Sequence, residues 1–280
     1  MLNYLEIAKK AKDPTLSEER FLELMGQIHA EIPSALFKYI SLSSLGDEEL
    51  GSATSSSEKD LDRQKLDTLR ECKIYLASPE SFNDPFDCKG FFFDKTKMTN
   101  ISNHDPSKGR DFATLLRIAS LTSVGFQSMP MWAHYANNHY GICVEYDMND
   151  RRNRVLAAHT YQVEYAKKRA DITDDLDRWV GLIKKEEHKS GIFLSFILTL
   201  LCGIKNETWS YEQEYRCITN AFNLEAVKIR AVPSAIYIGS KCCQKYRDEL
   251  LSIGEAIGAR VYEMIFDNLS ESYELSASPL

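Results

Sequence analysis

The segment YGICVEYD, at residues 140–147, constrains the fold more than any other stretch of the chain. Tyr140, Ile142, Val144 and Tyr146 occupy every second position, with Gly, Cys, Glu and Asp between them. Side chains at alternate positions of a strand share one face of the sheet. The segment is therefore predicted to be a strand with one buried face.

Further short strands and several helices are predicted along the chain. The strands cover residues 35–42, 73–78, 209–218, 234–240 and 259–265, and the helices cover residues 58–71, 111–120, 171–204 and 241–256. Because strands and helices do not alternate regularly, the sequence predicts an α+β fold with mostly antiparallel short strands and peripheral helices. Residues 1–33 are predicted to be an N-terminal helical segment, and residues 34–280 a single α+β domain.

Composition limits the partners that the chain is expected to have. With 44% hydrophobic residues among 280, the chain can bury a sizeable core. The formal net charge of -7 opposes stable nonspecific binding to nucleic acids and to anionic lipid. A local basic patch can still exist on a chain of this net charge.

The cysteines and the apolar runs predict a reduced, cytoplasmic protein. The seven cysteines are odd in number and include no CxxC pair, and the start MLNYLEIAKKAKDP lacks the apolar core of a signal peptide. The longest uncharged run, residues 190–204, is shorter than the roughly 20 residues that a membrane-spanning helix needs. That run is predicted to be a buried core helix, and no contact with a membrane is expected.

The stretch WSYEQEYRCI, residues 209–218, places two glutamates and an arginine at alternate positions. In a strand, Glu212, Glu214 and Arg216 would share one face. The two carboxylates would repel each other, and Arg216 could relieve the repulsion by pairing with one of them. Two interpretations stay open, a solvated strand face whose charges keep an edge soluble and a functional site.

Two other stretches are candidates for the same site. In SFNDPFD, Asn83 and Asp84 precede a proline and favour a tight turn, which could be purely structural. The loop MPMWAHYANNHYG, residues 129–141, is rich in aromatic side chains, among them Trp132. His134 suits proton transfer, a polar contact to a ligand, or a core hydrogen bond. Its spacing from His139 does not match a zinc motif, so no metal ligands are predicted.

The blocks LFKYIS, SFNDPFD, MWAHYANNHYGICVEYD and WSYEQEYR occur in this order within roughly residues 35–240. In this combination the chain resembles a family of bacterial proteins, many of them catalogued only as a domain of unknown function. Similar proteins look like toxins or anti-phage defence effectors. The resemblance therefore implies a role in bacterial conflict.

A more distant resemblance is to ADP-ribosyltransferases, which hold NAD between two small antiparallel sheets and use a glutamate on a late strand. An E-x-E pair is common there, and Glu212 and Glu214 match it, with Glu214 in the place of the glutamate that holds the nicotinamide ribose. The chain departs from that pattern at Lys38 and Tyr39, where those enzymes often carry Arg or His, and it has no Ser-Thr-Ser strand motif. The resemblance implies a split sheet, NAD as substrate, and a protein or nucleic-acid acceptor.

Cleavage of NAD builds positive charge on the sugar, and a fixed carboxylate stabilises that charge. Aromatic rings would hold the nicotinamide, and a cation would meet the pyrophosphate. The predicted catalytic residues are Glu214, Glu212 and His134, and the predicted cofactor-binding residues are Lys38, Tyr39, Asn83, Asp84, Trp132, Tyr135 and Arg216.

Two alternatives to the transferase stay open. A metal-dependent nuclease or phosphohydrolase could be built from carboxylates, the ligands that hard divalent cations prefer. Its candidate ligands are Asp84, Asp87, Glu145, Asp147, Glu212 and Glu214. A noncatalytic module that senses a ligand is the second alternative. Serine and cysteine triads are not favoured, because no GxSxG occurs and no cysteine has a recognisable histidine partner in the sequence.

Overall fold

The computed structural model describes residues 23, 32–44, 56–99, 116–174, 176–177, 202–220, 228–266, 269 and 271–280. The chain folds into two compact units, each assembled from separate segments of the sequence. Unit 1 comprises Met1–Ile32, Leu76–Ala119 and His159–Val227, and unit 2 comprises Pro33–Tyr75, Ser120–Ala158 and Lys228–Leu280. The predicted domain boundary at residue 33 stays a prediction.

The described strands are short, and the longest have seven residues. They are β1 (Ala35–Ile40), β2 (Lys73–Tyr75), β3 (Phe91–Phe92), β4 (Leu116–Thr122), β5 (Ile142–Asp147), β6 (Thr160–Gln162), β7 (Glu164–Ala166), β8 (Ala170–Asp171), β9 (Ile204–Asn206), β10 (Glu214–Asn220), β11 (Lys228–Arg230), β12 (Ala235–Ile238), β13 (Arg260–Phe266) and β14 (Leu275–Pro279).

The described helices are fewer than the strands. They are α1 (Ser56–Arg70), α2 (Met129–Tyr135), α3 (Arg154–Ala158) and α4 (Gln244–Ile257), with 3-10 helices at Pro79–Ser81, Lys95–Lys97, Arg151–Asn153 and Glu207–Glu212. Together with the strands they confirm the predicted α+β class. The helices predicted near residues 58–71 and 241–256 are confirmed by α1 and α4.

Unit 2 contains a sheet in the order β14-β13-β12-β5-β1, followed by the end of β4, where Phe37 pairs with Thr122. Neighbours are antiparallel except β12 and β13, which are parallel. The strand predicted at 140–147 is confirmed, but both of its faces are buried, since Cys143 and Val144 are each 0% exposed. On the Cys143 face, side chains of α2 pack against the sheet. On the other side, α4 contacts β12 and β13.

A close approach of the backbone fixes the start of β5. A Cβ atom added to Gly141 would lie 2.1 Å from the carbonyl oxygen of Ile40, so only glycine fits there. The preceding turn contains Asn137, Asn138 and His139, all with positive φ angles. Asparagine tolerates this left-handed conformation better than most residues. The turn therefore depends on the residue types that the sequence supplies.

Unit 1 is built around β10. This strand lies between β4 and β6 and pairs antiparallel with β6, where Arg216 is opposite Tyr161. Two small parallel pairs complete the described part of the unit, β3 with β8 and β7 with β9. The pairing of β9 with β7 fixes residues 204–206 beside the start of β10, because Val163, just before β7, donates its N–H to the carbonyl oxygen of Glu214.

Three local predictions are wrong. Residues 116–120, predicted to be helical, lie in β4, where burial on both faces hides the alternation of a strand. Residues 129–135, predicted as loop, form α2. The single strand predicted at 209–218 is a 3-10 helix that ends at Glu212 and a strand that begins at Glu214.

Two further predictions lie largely outside the described residues. They are the helical segment at 1–33 and the core helix at 190–204, the second of which overlaps the described chain only at 202–204, where Ile204 belongs to β9. Among the helices that the structure describes, none combines the length and the apolar character required to cross a lipid bilayer.

Candidate functional site

Five charged side chains meet in the interior of unit 1. We call them the charge cluster: Asp87, Lys205, Glu212, Glu214 and Arg216, all of which are between 0 and 6% exposed. Charged residues are almost never fully buried unless they are paired. A concentration of this kind is therefore unusual and marks a candidate site.

Arg216 is the fully buried centre of the charge cluster. It donates a bidentate pair of hydrogen bonds to Glu214, from Nε to Oε1 at 2.8 Å and from Nη2 to Oε2 at 3.0 Å. The same Nη2 lies 2.5 Å from Oδ1 of Asp87, and Nη1 donates to the carbonyl oxygen of Cys202 at 2.7 Å. The ring of Phe82 lies over the guanidinium, 5.7 Å from Cζ. Arg216 thus connects three separate segments of unit 1.

Lys205 is the second cation of the charge cluster. Its Nζ donates to Oε2 of Glu212 at 2.7 Å and to Oε2 of Glu214 at 2.9 Å. Asp87 Oδ2 lies 3.8 Å from the same nitrogen. Trp209 covers the ammonium, with its ring centroid 5.0 Å away. One ammonium group therefore lies among three carboxylates.

A backbone kink, and not a shared strand face, brings the two glutamates together. Glu212 ends a 3-10 helix and Glu214 begins β10. Gln213 between them has a left-handed conformation, with φ 42° and ψ 53°. The predicted proximity of the two carboxylates is confirmed by their common contact with Lys205. The predicted reason for it, alternation along one strand, is wrong.

The ion pairs shift the pKa values of Glu214 and Lys205. Burial by itself would raise the pKa of Glu214, but the charges and hydrogen bonds of Arg216 and Lys205 outweigh it and lower that pKa to about 2. Burial would lower the pKa of Lys205, yet Glu214, Glu212 and Asp87 raise it above its ordinary value. Both cations therefore stay charged near neutral pH. The cluster thus brings three acidic side chains, Asp87, Glu212 and Glu214, together with two cations.

The turn predicted around Asn83 and Asp84 is present, and it positions Asp87. Asp84 Oδ1 accepts a hydrogen bond from the N–H of Phe86 at 2.8 Å, and its carbonyl oxygen accepts one from the N–H of Asp87 at 2.9 Å. The side chain of Asp84 thereby stabilises the turn, while Asn83 is exposed. Of the predicted residues in unit 1, Glu212, Glu214 and Arg216 belong to the charge cluster.

The remaining predicted residues belong to unit 2, where Tyr39 and Trp132 form part of the core. Trp132 is 0% exposed and donates from Nε1 to the carbonyl oxygen of Phe126 at 2.7 Å. Tyr39 packs edge-on against it and donates its hydroxyl to the carbonyl oxygen of Gly125. Lys38, one residue earlier in β1, is on the opposite face of the strand. Its Nζ donates to the carbonyl oxygen of Ser120.

The other two predicted residues of the aromatic block, which is the aromatic-rich stretch at residues 129–141, are His134 and Tyr135. They lie near the surface of unit 2. His134 is exposed and Tyr135 is half-buried, with their ring centroids 6.3 Å apart. Because Trp132 points into the core while His134 faces outward, α2 does not present the two side chains to one common pocket. Their predicted roles in catalysis and cofactor binding stay predictions.

Sequence reasoning missed Lys205 altogether. It follows closely after the uncharged run at residues 190–204, so it is the first charge that the chain offers after a long apolar stretch. A lysine in that position is a candidate for burial with a counter-ion. Asp87 is among the candidate ligands of the metal-site alternative, and the sequence does not predict its contact with Arg216.

Lys205 occupies the position that a metal ion would need in the metal-site alternative. Its ammonium lies at the point where Asp87, Glu212 and Glu214 converge, the point that a divalent cation would need. Within the part of the chain that the structure describes, no group of three or more His, Cys, Asp or Glu side chains is arranged to hold a metal ion.

Residues 131–217 match the model of a family described as "Protein of unknown function (DUF2971)". This match confirms the predicted similarity to a family catalogued as a domain of unknown function, over the third and fourth sequence blocks. It includes Lys205, Glu212, Glu214 and Arg216 of the charge cluster. Comparison with curated proteins and with solved structures gives no significant match.

Proposed function

We propose that this chain is an ADP-ribosyltransferase-like enzyme that transfers ADP-ribose from NAD to a protein or nucleic-acid acceptor. The observation that supports the proposal is the buried, ionised carboxylate of Glu214, which Arg216 and Lys205 hold in place within the charge cluster. A preorganised negative charge in a desolvated setting stabilises a developing positive charge more strongly than it would in water.

The proposed reaction requires that kind of stabilisation. The bond between C1 of the ribose and the nicotinamide nitrogen breaks, and both bonding electrons leave with the nicotinamide, which becomes neutral. The positive charge moves to the sugar until the acceptor forms a bond to C1 and loses its proton. Catalysis depends on interactions that are stronger in this transition state than in bound NAD.

Glu214 and Glu212 have different roles in this proposal. Arg216 and Lys205 hold Glu214 ionised and fixed, as a carboxylate that stabilises the sugar cation must be. Glu212, at the end of the 3-10 helix, orients the acceptor. The proposed chemistry requires no step from His134, whose catalytic role stays a separate prediction.

The test is the release of nicotinamide from NAD by the purified protein, in buffer and in cell lysate. Release should be slow in buffer, where water replaces the acceptor, and faster in lysate, because acceptor binding contributes to positioning. At equal concentrations of folded protein, Glu212→Gln and Glu214→Gln should each reduce the rate, the second by about a hundredfold or more. Glu207→Gln is the matched control, since Glu207 lies in the same 3-10 helix but is exposed.

Three outcomes discriminate among the alternatives. Mass spectrometry of the lysate should find ADP-ribose on protein or nucleic acid with the wild type and not with Glu214→Gln. A thermal shift with NAD but without nicotinamide release would replace the transferase with a ligand-sensing module. Neither release nor a thermal shift with NAD would end the proposal.

A role as a toxin or anti-phage effector is part of the same proposal. Its basis is the family resemblance, because an enzyme that consumes NAD or modifies an essential acceptor would arrest its host. Expression of the wild type should then slow bacterial growth, while expression of Glu214→Gln at an equal level of folded protein should not.

A further inference from the structure

A basic and aromatic surface lies on unit 1, next to the turn that supplies Asp87. We call it the basic patch and define it by Phe86, Lys89, Phe92, Lys167, Lys168 and Arg169. Phe86 is 59% exposed and Phe92 is 42% exposed, and the four cationic residues are also exposed. A surface that combines exposed phenylalanines with clustered cations is unusual on a chain whose net charge is -7, and such surfaces often mark interaction sites.

Arg169 holds the basic patch together. Its guanidinium lies between two rings, with Cζ 6.0 Å from the centroid of Phe86 and 5.8 Å from that of Phe92. The same side chain donates from Nε to the carbonyl oxygen of Lys89 at 2.7 Å and also donates to the carbonyl oxygen of Phe91. The two rings and the guanidinium are therefore fixed relative to one another before any ligand arrives.

The cations converge because β3 and β8 pair. Ala170 donates its N–H to the carbonyl oxygen of Gly90 at 2.8 Å, and Phe91 lies opposite Ala170. This pairing brings the run Lys167, Lys168 and Arg169 beside Lys89. The nearby carboxylates Asp94 and Asp171 accept hydrogen bonds from Thr96 and Thr173 in their own turns.

We propose that the basic patch binds a single-stranded nucleic acid. The lysines would contact backbone phosphates, and bases would stack on Phe86 and Phe92, the combination by which sequence-tolerant single-strand sites work. Base stacking uses any of the four bases, so no specific edge recognition is needed. A strand bound here would pass close to Asp87 and the charge cluster, because Phe86 directly precedes Asp87 in the chain.

Charge favours a strand over an anionic membrane. A membrane presents its negative charge to a wide face of the protein, so the net charge of -7 opposes attachment. A single strand needs only a narrow contact, which the basic patch can supply locally. The binding requires neither NAD nor catalysis, so it does not depend on the proposed function.

The experiment is fluorescence anisotropy of a labelled uridine oligonucleotide of about 12 residues, titrated with the full chain at low salt without NAD. Wild-type protein should bind, with affinity that falls as salt rises. Lys168→Glu should weaken binding and lower the slope of log affinity against log salt by about one. Arg63→Glu is the matched control, because it makes the same charge change at an exposed site in unit 2 and should leave the slope unchanged.

Phe86→Ala tests stacking separately from charge. It should weaken binding roughly 5- to 150-fold, which corresponds to the loss of one stacked base. Far-ultraviolet circular dichroism should show all variants folded, since the changed side chains are exposed. The proposal is overturned if wild-type protein does not bind the oligonucleotide, if Arg63→Glu weakens binding as much as Lys168→Glu, or if phosphatidylserine vesicles bind while the oligonucleotide does not.

Discussion

Arg216 and Glu214 lie two residues apart on β10 and are joined inside unit 1 by two hydrogen bonds of 2.8 and 3.0 Å. Both are almost completely shielded from water, at 0% and 3% exposure. A bidentate pair of this geometry is among the stronger polar contacts that a protein makes, but the desolvation of two charges opposes it. Removing one partner of such a pair is strongly destabilising, because it leaves a buried charge without its counter-ion, whatever the net contribution of the intact pair.

Removal of the Glu214 charge should therefore destabilise the protein. Glu214→Gln leaves Arg216 and Lys205 with one carboxylate fewer, and we expect the free energy of unfolding to fall by about 3 to 5 kcal/mol. Urea unfolding followed by circular dichroism measures the change. Glu207→Gln should stay within about 0.5 kcal/mol of the wild type. Equal stability of Glu214→Gln and the wild type would contradict the ion pairing described for this cluster.

The pH dependence of stability gives a second prediction. Because the pKa of Glu214 is about 2 in the folded chain and 4.5 in its ordinary state, its contribution to stability is present above pH 4.5 and is lost as the pH falls towards 2. The expected contribution is about 3 kcal/mol. Urea unfolding across this pH range should show a steeper loss for the wild type than for Glu214→Gln. Parallel curves would disprove the depressed pKa.

Truncation of Trp132 should strongly reduce the stability of the protein, whereas truncation of His134 should hardly change it. Trp132→Ala removes a fully buried ring and should lower the free energy of unfolding by about 3 to 5 kcal/mol. His134→Ala, at an exposed position of the same helix, should change it by less than about 0.5 kcal/mol. Calorimetric titration with NAD on folded protein is the second measurement. Weaker NAD binding by either variant would return the aromatic block to the ligand site.

Several strands are predictable from the sequence, because side chains that pack on one face of a sheet recur at every second position. β5 was identified from alternation at 140–147, and β12 and β13 were identified near their observed bounds. β4 was missed because burial on both faces removes the alternation on which such reasoning relies. The burial of both faces of β4 depends on tertiary packing, which a short stretch of sequence does not reveal.

The site was predicted in part for a related reason. The contact between Glu214 and Arg216 follows from their spacing along a strand, and it is confirmed. Lys205 lies on β9, which is positioned beside the cluster by its pairing with β7. The spacing of Glu212 and Glu214 in the sequence does not indicate that pairing. Likewise the left-handed turn at Gln213 could not be inferred from the residue type, since glutamine rarely adopts it.

Lys205 provides the last prediction, because it faces three carboxylates at once. Lys205→Met keeps much of the length of the side chain but removes its charge, so Asp87, Glu212 and Glu214 would face only Arg216. We expect the free energy of unfolding at neutral pH to fall by about 3 to 5 kcal/mol. Repulsion among the carboxylates should also raise the pKa of at least one of them in the folded state.

A carboxylate whose folded pKa is raised contributes stability that is fully present below its unfolded pKa and is lost as the pH rises through the folded pKa, so the stability maximum of Lys205→Met should shift to lower pH. Urea unfolding at a series of pH values gives both quantities. Lys89→Met is a suitable control, because Lys89 belongs to the same unit but is exposed, and its stability maximum should not shift. A wild-type pH profile for folded Lys205→Met would show that the ammonium does not set the charge state of the three acids.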